Sequence, residues 1–95
     1  MARNDEEQSE QNYELLPVQC RMARAALAWG LRDLAGAARL SADTVARFER
    51  GKVLRRSTIR AIRIALEKAG CEFIYEDDVS GPGVKLRKKQ VRIGG

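Results

Sequence analysis

Apolar positions along the chain follow a helical period as far as Gly70 and a strand period after it. Val18, Met22, Ala25 and Trp29 recur at i, i+4, i+7 and i+11, which predicts a first helix with those residues on its buried stripe. Pro17 suits the first position of that helix, where an N–H would have no intrahelical partner, and Gln19, Arg21 and Arg24 fall on the other sides. Gly30 interrupts the pattern. Leu31, Leu34, Ala35 and Ala38 then mark a short second helix. Ser41 is a cap residue whose hydroxyl can accept from an unpaired N–H, so a third helix should run from Ala42 to about Arg50. Only Val45 and Phe48 look inward on it, while Ala42, Asp43, Thr44, Ala46 and Arg47 face out, and Gly51 supplies a left-handed stop. Lys52 to Arg56 reads as a basic loop, with Ser57 capping a fourth helix. Ile59, Ile62, Leu66 and Ala69 are its buried stripe, Gly70 its stop, and Arg60 and Arg63 its opposite side. Ile64 lies between the faces, placed either beneath the following strand or in a dimer contact.

Beyond Gly70 the period shortens to two. Cys71, Phe73 and Tyr75 alternate with Glu72, Ile74 and Glu76, then Ser80-Gly81-Pro82-Gly83 signals a turn. Val84 and Leu86 alternate with Lys85 and Arg87, so the segment predicts a β-hairpin over residues 71–87. Two strands alone are marginal in water, so the hairpin must pack on the helices or pair with another chain. No internal repeat interrupts this order.

Ninety-five residues suffice for one small domain, here residues 15–70 plus the hairpin. Hydrophobic residues at 44% against 33% charged suit a folded rather than a disordered chain. The charge is unevenly spread. Residues 1–14 sum to −4 and read as an acidic disordered tail, which leaves +9 on the rest, including a basic tail over 88–95. That tail is a solubilising end or an arm that follows phosphates. A basic body suits a polyanionic partner, nucleic acid before a membrane surface. There is no His, so Ser–His and Cys–His catalysis and most zinc chemistry drop out, and no catalytic residue, cofactor or metal site is expected. Cys20 and Cys71 form no CxxC pair; Cys20 is expected partly buried, and Cys71 and Trp29 in the core. The acidic start differs from a signal peptide and no apolar run reaches membrane-spanning length, which points to a cytoplasmic protein that is not an enzyme.

The segment Leu31 to Gly51, LRDLAGAARLSADTVARFERG, resembles the Xre (Cro/CI phage-repressor type) helix-turn-helix family, and STIRAIRIALEKAG is similar to its next helix. With GCEFI and GPGVKLR at Gly70–Ile74 and Gly81–Arg87, the chain also resembles short bacterial Xre-type regulators that end in a hairpin. The resemblance covers about two-thirds of the chain and implies a mainly α, compact four- to five-helix lambda-repressor-like helix-turn-helix domain with a C-terminal β-hairpin. Ala35 would be small because two helices cross there. It further implies a sequence-specific DNA-binding transcriptional regulator, simplest as a repressor by occlusion, that associates with the nucleoid as a homodimer through the hairpin edge or the Ile64 face.

Carried over by position, Ala42, Asp43, Thr44 and Arg47 would meet base edges in the major groove of a double-stranded operator, Arg47 being suited to guanine O6 and N7. Arg32, Arg39, Ser41, Arg50, Lys52, Arg55, Arg56 and Ser57 would meet phosphates. Independently of the resemblance, Arg50 through Leu66 holds six basic residues and no acidic one. Three positions depart from the family pattern: Gly30 for a capping Ser or Thr, Leu31 for a phosphate-gripping Gln, and Arg39 for a turn Gly. These departures favour the alternative reading, a helix-turn-helix-derived adaptor, antiactivator or antitoxin-like, that binds another regulator rather than DNA.

Overall fold

The computed structural model describes residues 14–88; the acidic segment through residue 13 and the basic one from residue 89 lie outside them. Among the described residues four helices precede the strands: α1 (Pro17–Leu27), α2 (Leu31–Ala38), α3 (Ala42–Glu49) and α4 (Arg56–Lys68). Strands β1 (Cys71–Ile74) and β2 (Gly83–Leu86) follow, making a mainly helical domain with one antiparallel hairpin. Leu34 of α2, Val45 and Phe48 of α3, and Ile62 and Leu66 of α4 meet in the core, with Cys20 and Ala23 of α1 and Cys71 of β1 closing it.

The buried face of α1 is not the one its apolar spacing predicts. Val18 and Met22 are each 38% exposed, Ala25 is exposed too, and the buried line is Leu15, Gln19, Cys20 and Ala23, with Leu27 packed at its end. A glutamine in that line hides it from any count of apolar spacing. Gln19 is fully buried because its amide is satisfied: Oε1 accepts from Leu16 N–H at 3.1 Å, and Nε2 donates to the carbonyls of Ile74 at 2.9 Å and Gly83 at 3.2 Å. Thus α1 is tied to both strands of the hairpin. The helix ends at Leu27 because Ala28 turns left-handed at φ 58°, which places Trp29 past the helix, half-buried against the core rather than within it. Cys20, expected to be partly buried, is wholly so.

Helix α2 packs as its spacing predicts. Leu34 and Ala35 are buried, and Leu31 and Ala38 lie against the core. Gly30 has no side chain to cap it, but its N–H donates to Asp33 Oδ2 at 2.7 Å, so the start of the helix is held from within. At the other end Arg39 is left-handed, φ 61°, and Leu40 N–H reaches back to Ala35 O at 2.9 Å. A side chain in that conformation costs roughly 1–2 kcal/mol.

Ser41 caps α3, its Oγ accepting from Thr44 N–H at 3.1 Å, and Gly51 closes the helix at φ +88°. Val45 and Phe48 point inward. Ala42 does not face out as expected: the α2–α3 crossing draws it part-way against the core, and Thr44 and Ala46 are half-buried.

Ser57 is not the cap of α4. That helix starts two residues earlier, with Arg55 as its cap position and its carbonyl accepting from Thr58 and Ile59 N–H at 3.0 and 3.1 Å, so Ser57 sits inside the first turn. Ile62, Ala65 and Leu66 are buried, Ile59 packs on the core, and Gly70 ends the helix at φ +116°.

In the hairpin Cys71 pairs with Leu86, Glu72 with Lys85, Phe73 with Val84 and Ile74 with Gly83. Cys71, Phe73 and Tyr75 turn inward in alternation, as predicted. The connection is pinned by Asp77, whose Oδ1 accepts from Val79 and Ser80 N–H at 2.9 and 2.7 Å. Those bonds, the one from Ser80 first, hold the Asp77 carboxyl below its ordinary value. The hairpin packs chiefly through β2 on α1 and through β1 on α4. Arg87 fastens that junction: its N–H donates to Gly70 O at 2.8 Å, and its guanidinium donates to Glu67 O and Cys71 O at 2.6 and 3.3 Å. The cation thereby meets the carbonyl end of α4, where the helix dipole favours it.

Candidate nucleic-acid interface

A helix can read a surface only if something fixes its orientation, and α3 is fixed at both ends. At its start is the Ser41 cap, reinforced by the 2.9 Å bond between the Ser41 and Thr44 hydroxyls. At its end Glu49 is gripped from α1. Arg24 donates two parallel bonds, Nε to Oε2 at 2.7 Å and Nη2 to Oε1 at 2.8 Å, while the Cys20 thiol donates to Oε2 at 3.2 Å. Arg21 donates to the Glu49 carbonyl, and Arg24 Nη1 to Trp29 O at 3.1 Å.

Such a two-pronged pairing is directional as well as strong. Burial works against the Glu49 charge, yet the bonds from Arg24 and Cys20 and the positive charge of Arg24 and Arg21 outweigh it and hold the carboxyl below its ordinary value. The same bond raises the Arg24 guanidinium. Burial, with help from Glu49, pushes the Cys20 thiol far up, and burial also raises Cys71. Both cysteines are therefore protonated, buried thiols, poorly suited to nucleophilic or redox work. Nothing in the apolar periodicity marked Gln19, Arg24 or Glu49 as a hub, because each acts through a partner distant in sequence.

Of the four residues expected to meet bases, Asp43 and Arg47 stand exposed on α3. Thr44 is half-buried with its hydroxyl engaged by Ser41, and Ala42 lies against the core, so neither projects as those two do. Of the residues expected to meet phosphates, Arg32, Arg39, Ser41, Arg50, Lys52, Arg55 and Ser57 are exposed and Arg56 is half-buried. The Ser41 hydroxyl is already occupied as a cap. Leu31 packs against the core, and exposed Arg32 follows it in the same turn.

Lys52 N–H bonds Arg47 O at 3.0 Å, which folds the basic loop back onto the end of α3. Leu54 packs on the core and anchors the loop, whereas Val53, 94% exposed, stands out between the cations. The structure therefore joins the Arg47 side of α3, the loop through Arg55 and the first turn of α4 into one stretch of chain without a carboxylate after Glu49 until Glu67.

Among the described residues no three Cys, Asp or Glu side chains converge to hold a metal, and no helix is long and apolar enough to cross a membrane. Compared with known proteins, the chain matches no family model and no curated protein.

Proposed function

We propose that the protein is a helix-turn-helix regulator of the Xre type that binds double-stranded DNA as a homodimer. In this reading α2 and α3 are the motif, and α3 lies in the major groove with Arg47 against a guanine edge and Asp43 selecting against bases that offer only acceptors. Lys52, Arg55 and the start of α4 lie along the phosphates, joined by Arg32, Arg39 and Arg50. The observation that carries the reading is the exposed Arg47 on a helix held at both ends, followed after Glu49 by six basic residues from Arg50 to Leu66 with no carboxylate among them. Repression by occluding the promoter follows as the simplest consequence.

The test is fluorescence anisotropy with DNA from the gene's own upstream region, at two salt concentrations, with scrambled DNA and the Arg47→Ala protein alongside. Binding at least about a hundredfold tighter than to scrambled DNA is expected. Arg47→Ala should weaken it by about 1–3 kcal/mol. Salt-steep binding with no sequence preference would reduce the reading to a basic surface. No binding at low salt, together with a stoichiometric protein partner in a pulldown, would replace it with the adaptor, to which exposed Asp43 and the apolar Leu31 are better suited than to phosphate.

A further inference from the structure

Ile64, 41% exposed on the shoulder of α4, looks into a groove of about 540 Å³ whose far wall is Phe73 of β1 and Tyr75 just beyond it. The sequence leaves the hairpin edge and the Ile64 face as alternative dimer surfaces; in the fold they are two walls of one groove. Its rim carries Glu67 and Glu72 against Lys68 and Arg87. Two carboxylates and two cations sum to zero, a poor lure for a polyanion or a strongly charged protein. They suit a surface that meets itself across a two-fold axis, where each acid can face a base of the other copy.

The backbone agrees. Among the described residues β1 pairs with no strand but β2; on its other edge the Arg87 guanidinium takes the Cys71 carbonyl, and the edge is open to a strand at Phe73. The bond from Arg87 N–H to Gly70 O sets the phase of the ladder, and that phase turns the N–H and C=O of Phe73 away from β2. Such an edge is a ready template for another strand.

We infer that a second copy of this chain docks in this groove, β1 against β1, making a four-stranded antiparallel sheet with each Ile64 packed on the other copy's aromatic wall. This deepens the homodimer of the proposed function and rests on that reading only for its use at a two-fold operator. Its test contains no DNA, so the two fail separately.

Sedimentation equilibrium of the full chain should give a mass twice 10.6 kDa at micromolar concentration. Ile64→Glu should sediment as a monomer with its helical circular dichroism intact. Lys68 and Glu72 are both exposed, so reversing either charge leaves the core alone should Ile64→Glu disturb it. Lys68→Glu and Glu72→Lys should each self-associate about tenfold more weakly, since the pair of Lys68 with the other copy's Glu72 occurs twice across the two-fold axis and becomes repulsive both times. Mixing the two variants should restore association as a heterodimer. A wild-type monomer throughout the range, an Ile64→Glu protein that is folded and still dimeric, or a mixture no tighter than its components would each overturn the inference. Arg47-dependent DNA binding by a monomer would leave the DNA reading standing.

Discussion

Gln19 shows how much one side chain can join. Its three hydrogen bonds bind the start of α1 and the two strands, at a site closed to solvent. Gln19→Ala would take the acceptor from Leu16 N–H and one of the donors from each of the Ile74 and Gly83 carbonyls. An unfolding cost of about 1–3 kcal/mol is expected from urea denaturation, with the hairpin the first part to lose hydrogen-exchange protection. Glu49 makes a different test, through pH. Its folded carboxyl lies below the ordinary 4.5, so the stability it contributes is complete above that value and is lost as pH falls from there through the lower folded value. Thermal melts between about pH 3 and 7 should show Glu49→Gln to be less stable than wild type near neutrality, with the gap closing in acid. Neither residue was legible as a hub from the sequence, since a polar letter on a helix gives no sign of the distant carbonyl or guanidinium that makes its burial favourable.

At the scale of elements, the turn between α2 and α3 places a costly residue beside a favourable one. Arg39 holds a left-handed backbone while Ser41, two positions on, caps α3. Substitutions there should therefore have opposite signs. Arg39→Gly is expected to raise the unfolding free energy read from urea denaturation, by up to about 1 kcal/mol once the added freedom of the unfolded glycine is subtracted. Ser41→Ala is expected to lower it by about 1 kcal/mol. Helices α2, α3 and α4 and strand β1 were legible because each buries residues at its own period, as Leu34 with Ala35, Val45 with Phe48, Ile62 with Leu66, and Cys71 with Phe73 do, whereas β2 keeps its place but not its alternation, with Leu86 exposed. The inward face of α1 was not legible. Val18 and Met22 have the right spacing, but the helix packs on the hairpin through Gln19, which donates to a carbonyl of each strand.

For the whole molecule the question is how charge is arranged on a small body. The +9 outside residues 1–14 is concentrated after Glu49, where the loop and α4 offer cations without carboxylates up to Glu67. If that stretch follows phosphates, Lys52→Ala should weaken binding to specific and scrambled DNA alike and lower the salt slope by about 1. Arg47→Ala should instead act mainly on the specific site. Anisotropy titrations across a salt series separate the two behaviours. A Lys52→Ala slope equal to wild type would take that residue out of the interface.

The order of the described elements, the cap at Ser41, the stops at Gly51 and Gly70, and the run of cations that suggests a polyanionic partner can all be read along the chain. These follow from local stereochemistry and from composition, which act on a residue through its neighbours in the chain. Packing between distant segments sets which side of α1 is buried, locks Glu49 with Arg24 and Cys20, draws Ala42 toward the core, and places Ile64 in one groove with Phe73. Each of these depends on a contact between segments far apart in sequence. Burial of a polar group becomes favourable only when such a contact supplies its partner, and periodicity carries no record of where that partner will be.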